Sequence, residues 1–283
     1  MGWISPLTCS ERECYHLNIS TSMHTAITSL LLEHIRLKKT AIVNHPQIKS
    51  STEGASYWFY HTNWVNNFHS DLFDVNYWVE KDAVVGSAKG RGTTWFLKHE
   101  NENLVLRHYY RGGLVSKLLN DQYLFTGLAN TRAYREFFLL LQLNELGLPA
   151  PAPVAIQIQR SGLIYRSDIL TLRIRNSEDL VSILSASKLE AAEWKKIGAT
   201  IRQFHLHDIY HHDLNAHNIL IDEQGKVWLI DFDQGDIRQN GAGWKANNLN
   251  RLKRSFVKEA GKLDKFMWQE SDWDALLEGY QEG

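Results

Sequence analysis

Hydrophobic and polar positions alternate along NLVLRHYY, from Asn103 to Tyr110, which places Val105, Arg107 and Tyr109 on one face of a predicted strand. The period then changes. From about Thr131 to Leu146 the residues Tyr134, Phe137, Phe138 and Leu141 recur at helical spacing, and Gly147 followed by Pro149 supplies the stop. Glu136 lies beside that stripe, within reach of Arg107, and an arginine amid apolar neighbours needs an anionic partner. Arg135 falls off the stripe and is expected in solvent. Leu148 to Val154 (LPAPAPV) reads as a stiff, extended connector. Alternating strands follow at Ala155–Gln159 and Leu163–Ile174. Ser177 is predicted to cap a short helix through Leu180, Ile183 and Leu184. Ser187 and Glu190 are predicted to form a capping box for a longer helix ending near His207. Its positions Ala191, Trp194, Ile197, Ile201 and Phe204 keep helical spacing and are assigned to the core; His205 and His207 read as structural.

Upstream, Val79–Val85 is predicted as a strand, Gly86 to Gly92 (GSAKGRG) as a glycine-rich turn and Thr93–Leu97 as a second strand. Glycines let a backbone approach phosphates and aim N–H groups at them, so Gly86, Gly90 and Gly92 are candidate phosphate-binding positions. The alternative is an ordinary hairpin that uses glycines for its turn. Residues Met1 to about Tyr57 show weak periodicity, apart from a predicted helix over Ser22–Lys39.

The chemistry concentrates in HHDLNAHNILIDEQGKVWLIDFD, from His211 to Asp233. Asp213 and Asn218 end a short loop. Asn218–Ile221 is a predicted strand, Asp222–Gly225 a turn and Val227–Ile230 a second strand, which returns Asp231 beside Asn218. A hard cation such as Mg2+ takes oxygen ligands from one or two protein groups and from phosphate. Asn218 and Asp231 are the candidate metal ligands, and Asp213 remains to accept a proton from an attacking hydroxyl. This spacing, H-x-D-L-x-x-x-N followed by Asp-Phe, is that of kinase-like phosphotransferases using ATP. A surface hairpin with polar loop residues is the alternative. In protein kinases a strand lysine pairs with the helix glutamate; here Arg107 takes that position opposite Glu136, as a phosphate anchor or as a plain ion pair. Leu170–Ser177 is the expected crossing where an adenine sits.

Composition narrows the classes. The chain has 283 residues and a formal net charge of −1, so nothing global points to nucleic acid. Cys9 and Cys14 form neither a zinc spacing nor a disulfide framework, as expected in a reducing compartment. No apolar run approaches the roughly 20 residues of a membrane-spanning helix. No protein partner is implied.

Taken together, HHDLNAHNIL, IDFDQGDIR, VLRHYYRGG and WKANNLNRLKRS resemble the bacterial 3-deoxy-D-manno-octulosonic acid (Kdo) kinases of lipopolysaccharide core assembly. The resemblance covers roughly Val79 to the carboxyl end. It implies an α+β, bilobal protein-kinase-like fold. Residues 1–70 form an extension of unclear structure, 71–150 a small β-rich lobe with one main helix, and 151–283 a mainly helical lobe. It further implies transfer of the ATP γ-phosphate to the 4-hydroxyl of Kdo on a lipid A precursor, peripherally at the cytoplasmic face of the inner membrane. Asp213 corresponds to the catalytic base, Asn218 and Asp231 to the magnesium ligands, Arg107 with Glu136 to the lysine–glutamate pair, and Gly86–Gly92 to the phosphate cover. Two departures from the protein-kinase pattern stand out: His212 replaces Arg in the middle of H-x-D, and Asp233 follows Asp231-Phe232 where Gly is usual. Asp233 is expected to hold a cation or water, or to cap the next turn. The predicted helix Trp244–Lys258 carries Lys245, Arg251 and Arg254, which are candidate contacts for an anionic substrate or a membrane surface; a solvated basic face is the alternative. The rival readings are a heptose-, aminoglycoside- or choline-type kinase and a catalytically silent nucleotide-binding pseudokinase.

Overall fold

The alternating segments pair into one antiparallel sheet. Its strands are β1 (Ile48–Glu53), β2 (Ser56–His61), β3 (Val84–Lys89), β4 (Thr93–His99), β5 (Glu102–His108), β7 (Pro153–Ser161) and β8 (Ile164–Leu172). They lie in the order β1-β2-β7-β8-β5-β4-β3, with the short strand β6 (Tyr123–Leu124) added on β8. The computed structural model describes residues 45–89, 92–111, 121–238 and 242–283, and Gln47–Gly283 forms one compact unit. The predicted helix Ser22–Lys39, both cysteines and Gly90 lie outside the described residues.

The β1–β2 hairpin sits where the sequence shows weak periodicity, for a physical reason. Ser56–His61 (SYWFYH) is nearly all aromatic because both faces are covered. Trp58 is buried on one face and donates from Nε1 to Gln157 Oε1 at 2.8 Å. Phe59, on the other, meets Tyr134 and Phe138 edge-on. The strand expected at Val79–Val85 is corrected: helix α1 (Val75–Glu80) occupies its start and β3 begins only at Val84. Asp74 caps α1 by accepting from the Asn76 N–H, and buried Trp78 donates from Nε1 to the Leu72 carbonyl at 3.0 Å. Gly86 lies within β3 at a bulge rather than in a turn.

Helix α2 (Arg132–Glu145) packs across β7 and β8 through Phe137, Phe138 and Leu141, with Tyr134 half-buried. Gly147, at φ +70°, ends it in the left-handed conformation glycine tolerates. Strands β7 and β8 belong to this sheet, which therefore extends to Leu172.

The second half contains β9 (Ser177–Asp179), α3 (Leu180–Ala186), α4 (Ala191–Leu206), β10 (Ile209–Tyr210), β11 (Ile219–Asp222), β12 (Val227–Leu229), β13 (Asp236–Ile237), α5 (Ala242–Ala260) and α6 (Glu270–Glu282). Two caps differ from expectation. Asp179, not Ser177, caps α3 by accepting from the Val181 and Ser182 N–H groups. Ser177 instead opens β9, paired with Asp222. The capping box of α4 joins Glu190 and Glu193, one turn later than the Ser187–Glu190 pair. Trp194, Ile197, Ile201 and Phe204 are buried as the periodicity requires, whereas Ala191 is exposed. Helices α4 and α6 approach so closely that a Cβ on Gly198 would sit 1.9 Å from the Leu276 carbonyl oxygen.

Candidate active site

The loop after β10 is held at both ends by its own side chains. His211 Nδ1 accepts from the Asp213 N–H at 3.2 Å, so its Nε2 carries the proton donated to the Ile230 carbonyl at 2.9 Å. Burial lowers the pKa of this histidine, in keeping with a neutral ring that serves both bonds. Asn215 and Asn218 both donate from Nδ2 to the Asp213 carbonyl, at 3.1 and 2.9 Å. The hairpin β11–β12 pairs Ile219 with Leu229, and the Ile230 N–H then donates to the Asn218 carbonyl at 3.0 Å. That register returns Asp231 beside Asn218, as its sequence spacing requires. Asp231 has φ +61°, an uncommon conformation for a non-glycine residue and one that clusters at functional sites.

One face of α5 braces the same loop. Buried Asn248 donates from Nδ2 to the His211 carbonyl at 2.9 Å and accepts from the His211 N–H at 3.3 Å. Ser255 Oγ accepts from the Ala216 N–H at 3.0 Å. Between them Arg251 reaches Asp213, Nη1 to Oδ1, at 3.0 Å. These positions are three and four residues apart, one stripe of a helix.

From the sheet, Arg107 on β5 donates to both oxygens of Glu136 on α2, at 2.6 and 2.7 Å, and places Nη1 3.0 Å from Asp231 Oδ1. The Tyr109 hydroxyl donates to Glu136 Oε2 at 2.6 Å. Burial raises the Glu136 pKa despite Arg107. It also works against the Arg107 charge, but Asp231 and Glu136 more than offset it and hold the guanidinium charged. Asp231 Oδ1 lies 3.0 Å from Arg107 yet has no hydrogen bond among the described residues, and it is shielded from solvent. Arg107 offsets its charge without bonding it, so the oxygen keeps its lone pairs for a second cation. The Asn218 amide spends its NH2 on the Asp213 carbonyl, which leaves its oxygen for the same ion. The pair therefore fits a hard divalent cation completed by phosphate oxygens. Among the described residues no group of three or more His, Cys, Asp or Glu forms a metal cluster.

Two cavities meet here. One, of about 650 Å³, is walled by Val105, Leu140, Ile169, Leu172 and Leu220 and holds Asn218. The other, of about 380 Å³, is lined by Arg132, His212, Asp213, Asp233 and Arg251. Arg107 and Asp231 line both. Comparison with known proteins gives the family. The model of the lipopolysaccharide kinase (Kdo/WaaP) family matches residues 75–280. The chain belongs to that family. It is 47% identical over 234 residues to a 3-deoxy-D-manno-octulosonic acid kinase of Vibrio vulnificus, covering 83% of this chain and 98% of that protein. Proteins of the same name from Haemophilus influenzae and Vibrio cholerae are 46% identical over 221 residues and 50% over 193. Those alignments cover 75% of this chain with 91% of the first relative, and 68% with 82% of the second.

Within this family member several predicted site residues move. Asp233 is engaged by a cation of the chain itself, Arg132, whose Nε donates to Oδ1 at 2.7 Å. Lys245 is drawn away to Asp208 at 3.0 Å, and Arg254 is exposed and lines neither cavity. Of the three basic candidates on α5, Arg251 alone lines a described cavity. Gly86 lines neither cavity, whereas Gly92 lines the charged one. There a Cβ would collide with the Tyr110 ring at 1.9 Å. Sequence reasoning missed Arg132, Asn248, Ser255 and His108. The last is drawn between Asp168 at 2.7 Å and Asp121 at 3.3 Å. Arg132 did carry a signal, since a cation in the first turn of a helix opposes the helix dipole and needs a separate reason.

Proposed function

We propose that this protein is an ATP-dependent kinase that phosphorylates the 4-hydroxyl of a Kdo residue on a lipid A precursor, in lipopolysaccharide core assembly. The observation that carries the reading is the convergence of Asp213, Asp231 and Arg107 on one cavity, with Asn218 on the cavity that adjoins it at Asp231. The sheet half with α2 and the helical half stand as the two lobes of a kinase-like fold. The apolar cavity takes the adenine, beside the Leu170–Ser177 crossing, and the charged cavity takes the acceptor.

Asp213 and Asn218, fixed through one carbonyl, and Asp231, fixed by the hairpin register, set the reacting groups in line. Asp213 accepts the proton of the attacking hydroxyl as the new O–P bond forms and the bond to the ADP oxygen breaks. Magnesium, held by Asn218 and Asp231, would neutralise phosphate charge. Arg107 keeps its fork directed at the phosphates because Glu136 holds the other edge of it.

No helix among the described residues is long and apolar enough to cross a membrane. Peripheral contact with the cytoplasmic face of the inner membrane suits a soluble catalytic unit whose acceptor is lipid-anchored. The test is to incubate the purified protein with ATP and a Kdo-bearing lipid A precursor, then fix the phosphate position by mass spectrometry and NMR. Phosphate on the Kdo 4-hydroxyl is expected. Transfer to heptose, aminoglycoside or choline acceptors with none to Kdo would contradict the reading.

A further inference from the structure

The three arginines of the charged cavity are not equally committed. Arg107 is shared between both oxygens of Glu136 and Asp231. Arg132 is held by Asp233 and by the Tyr123 hydroxyl, to which Nη1 donates at 2.7 Å, and it is mostly buried. Among the described residues Arg251 makes one ion pair, through one nitrogen, with Asp213, and the two side chains are 43% and 48% exposed. Its remaining donors face a cavity that holds the catalytic base. An anion entering that cavity therefore meets one guanidinium that it can engage without dismantling the fold.

The partner of Arg251 sharpens the point. While Arg251 lies 3.0 Å from Asp213 Oδ1, that oxygen is engaged by a guanidinium N–H and is not open to an incoming hydroxyl. We propose that Arg251 binds the carboxylate of the sugar-acid acceptor and in doing so leaves Asp213, so that the acceptor's own carboxylate frees the base. The inference rests on the acceptor assignment above and adds to it a residue and a sequence of events. Asn248 and Ser255 keep α5 fixed to the loop on either side, so the exchange needs only a turn of the Arg251 side chain. Before the acceptor binds, the pair keeps Asp213 from serving water, which suppresses loss of ATP to hydrolysis.

The test compares two acceptors, the Kdo-bearing lipid and its carboxamide, on the wild type, Arg251→Gln and Arg251→Lys. The wild type should lose about thirtyfold in kcat/KM on the carboxamide, as expected when a charged hydrogen-bonded pair is broken. Arg251→Gln should treat both acceptors alike to within about threefold, because the group that senses the charge is gone. Arg251→Lys should recover part of the discrimination, and it serves in place of the glutamine variant should that one lose its thermal transition. Acceptor-free ATP hydrolysis should rise in Arg251→Gln. Undiminished discrimination in Arg251→Gln overturns the carboxylate contact, and unchanged hydrolysis overturns the release of the base. Wild-type protein that phosphorylates neither acceptor overturns the acceptor assignment itself, and this inference with it.

Discussion

The two cavities that meet at Asp231 are walled by different chemistry. The larger has an aliphatic wall drawn from both halves, Val105, Leu140 and Ile169 from the sheet side and Leu220 and Ile230 from the hairpin, beside a polar margin that includes Ser177, Glu178 and Asp179. The smaller is lined by ionic groups, nearly all of them already engaged with one another. An aliphatic slot gains from desolvating a flat ring and needs few directed bonds. A charged cavity gains little from desolvation. It works by holding groups in fixed places before the reactants arrive, and its ion pairs do that holding. Asp231 and Arg107 are charged groups common to both, so damage there should be felt by both ligands.

That contrast can be broken at the shared point first. Asp231→Ala should lower phosphoryl transfer by about a thousandfold or more while the protein stays folded, because several kcal/mol of charge stabilisation is lost. Near-normal transfer by that variant would show that the cation is held elsewhere. Arg107→Ala should come next, raising the ATP requirement by about thirtyfold or more as a buried charged pair is cut at about 2–5 kcal/mol. Arg107→Lys keeps the charge without the fork and should fall between the wild type and Arg107→Ala. An unchanged apparent ATP affinity would make Arg107 purely structural.

Asn248→Ala probes the bracing beneath the charged cavity and leaves the apolar one alone. Loss of its two bonds to the buried His211 backbone should cost about 1–3 kcal/mol of stability. It should also lower kcat with little change in ATP affinity, and stability and kcat both at wild-type values would remove α5 from the account. The smallest effect concerns acid. Burial lowers the His205 pKa to about 4 from its ordinary 6.5. The unfolded chain therefore binds that proton first as pH falls. Its contribution is complete above about pH 6.5 and lost towards pH 4, at no more than about 1.4 kcal/mol per pH unit. Denaturant titrations across that window should show the slope, and His205→Gln should flatten it.

Much of the site was legible because its parts are close in sequence. Asp213, Asn218 and Asp231 lie on one loop and one hairpin, where spacing alone dictates the geometry. The Arg107–Glu136 pair was legible for another reason, a charge on an apolar face that required a partner. What stayed hidden depends on distance along the chain. Asp233 meets Arg132 across 101 residues, and no local pattern chooses between that partner and a cation. Asn248 and Ser255 look like ordinary polar positions on a basic helix until His211 and Ala216 are seen beneath them. The hairpin Ile48–His61 was obscured because aromatic residues cover both faces and erase the period of two. The strand expected at Val79–Val85 failed because Trp78 drives its neighbours into a helical turn to reach the core.

The most direct measurement is a crystal structure with a non-hydrolysable ATP analogue, a divalent cation and the Kdo-bearing acceptor bound together. The account predicts the adenine among Val105, Ile169 and Leu220, the cation on Asn218 and Asp231, and the acceptor hydroxyl within hydrogen-bond reach of Asp213. A cation bound elsewhere, or an acceptor hydroxyl remote from Asp213 with Asp231 turned from the phosphates, would contradict it.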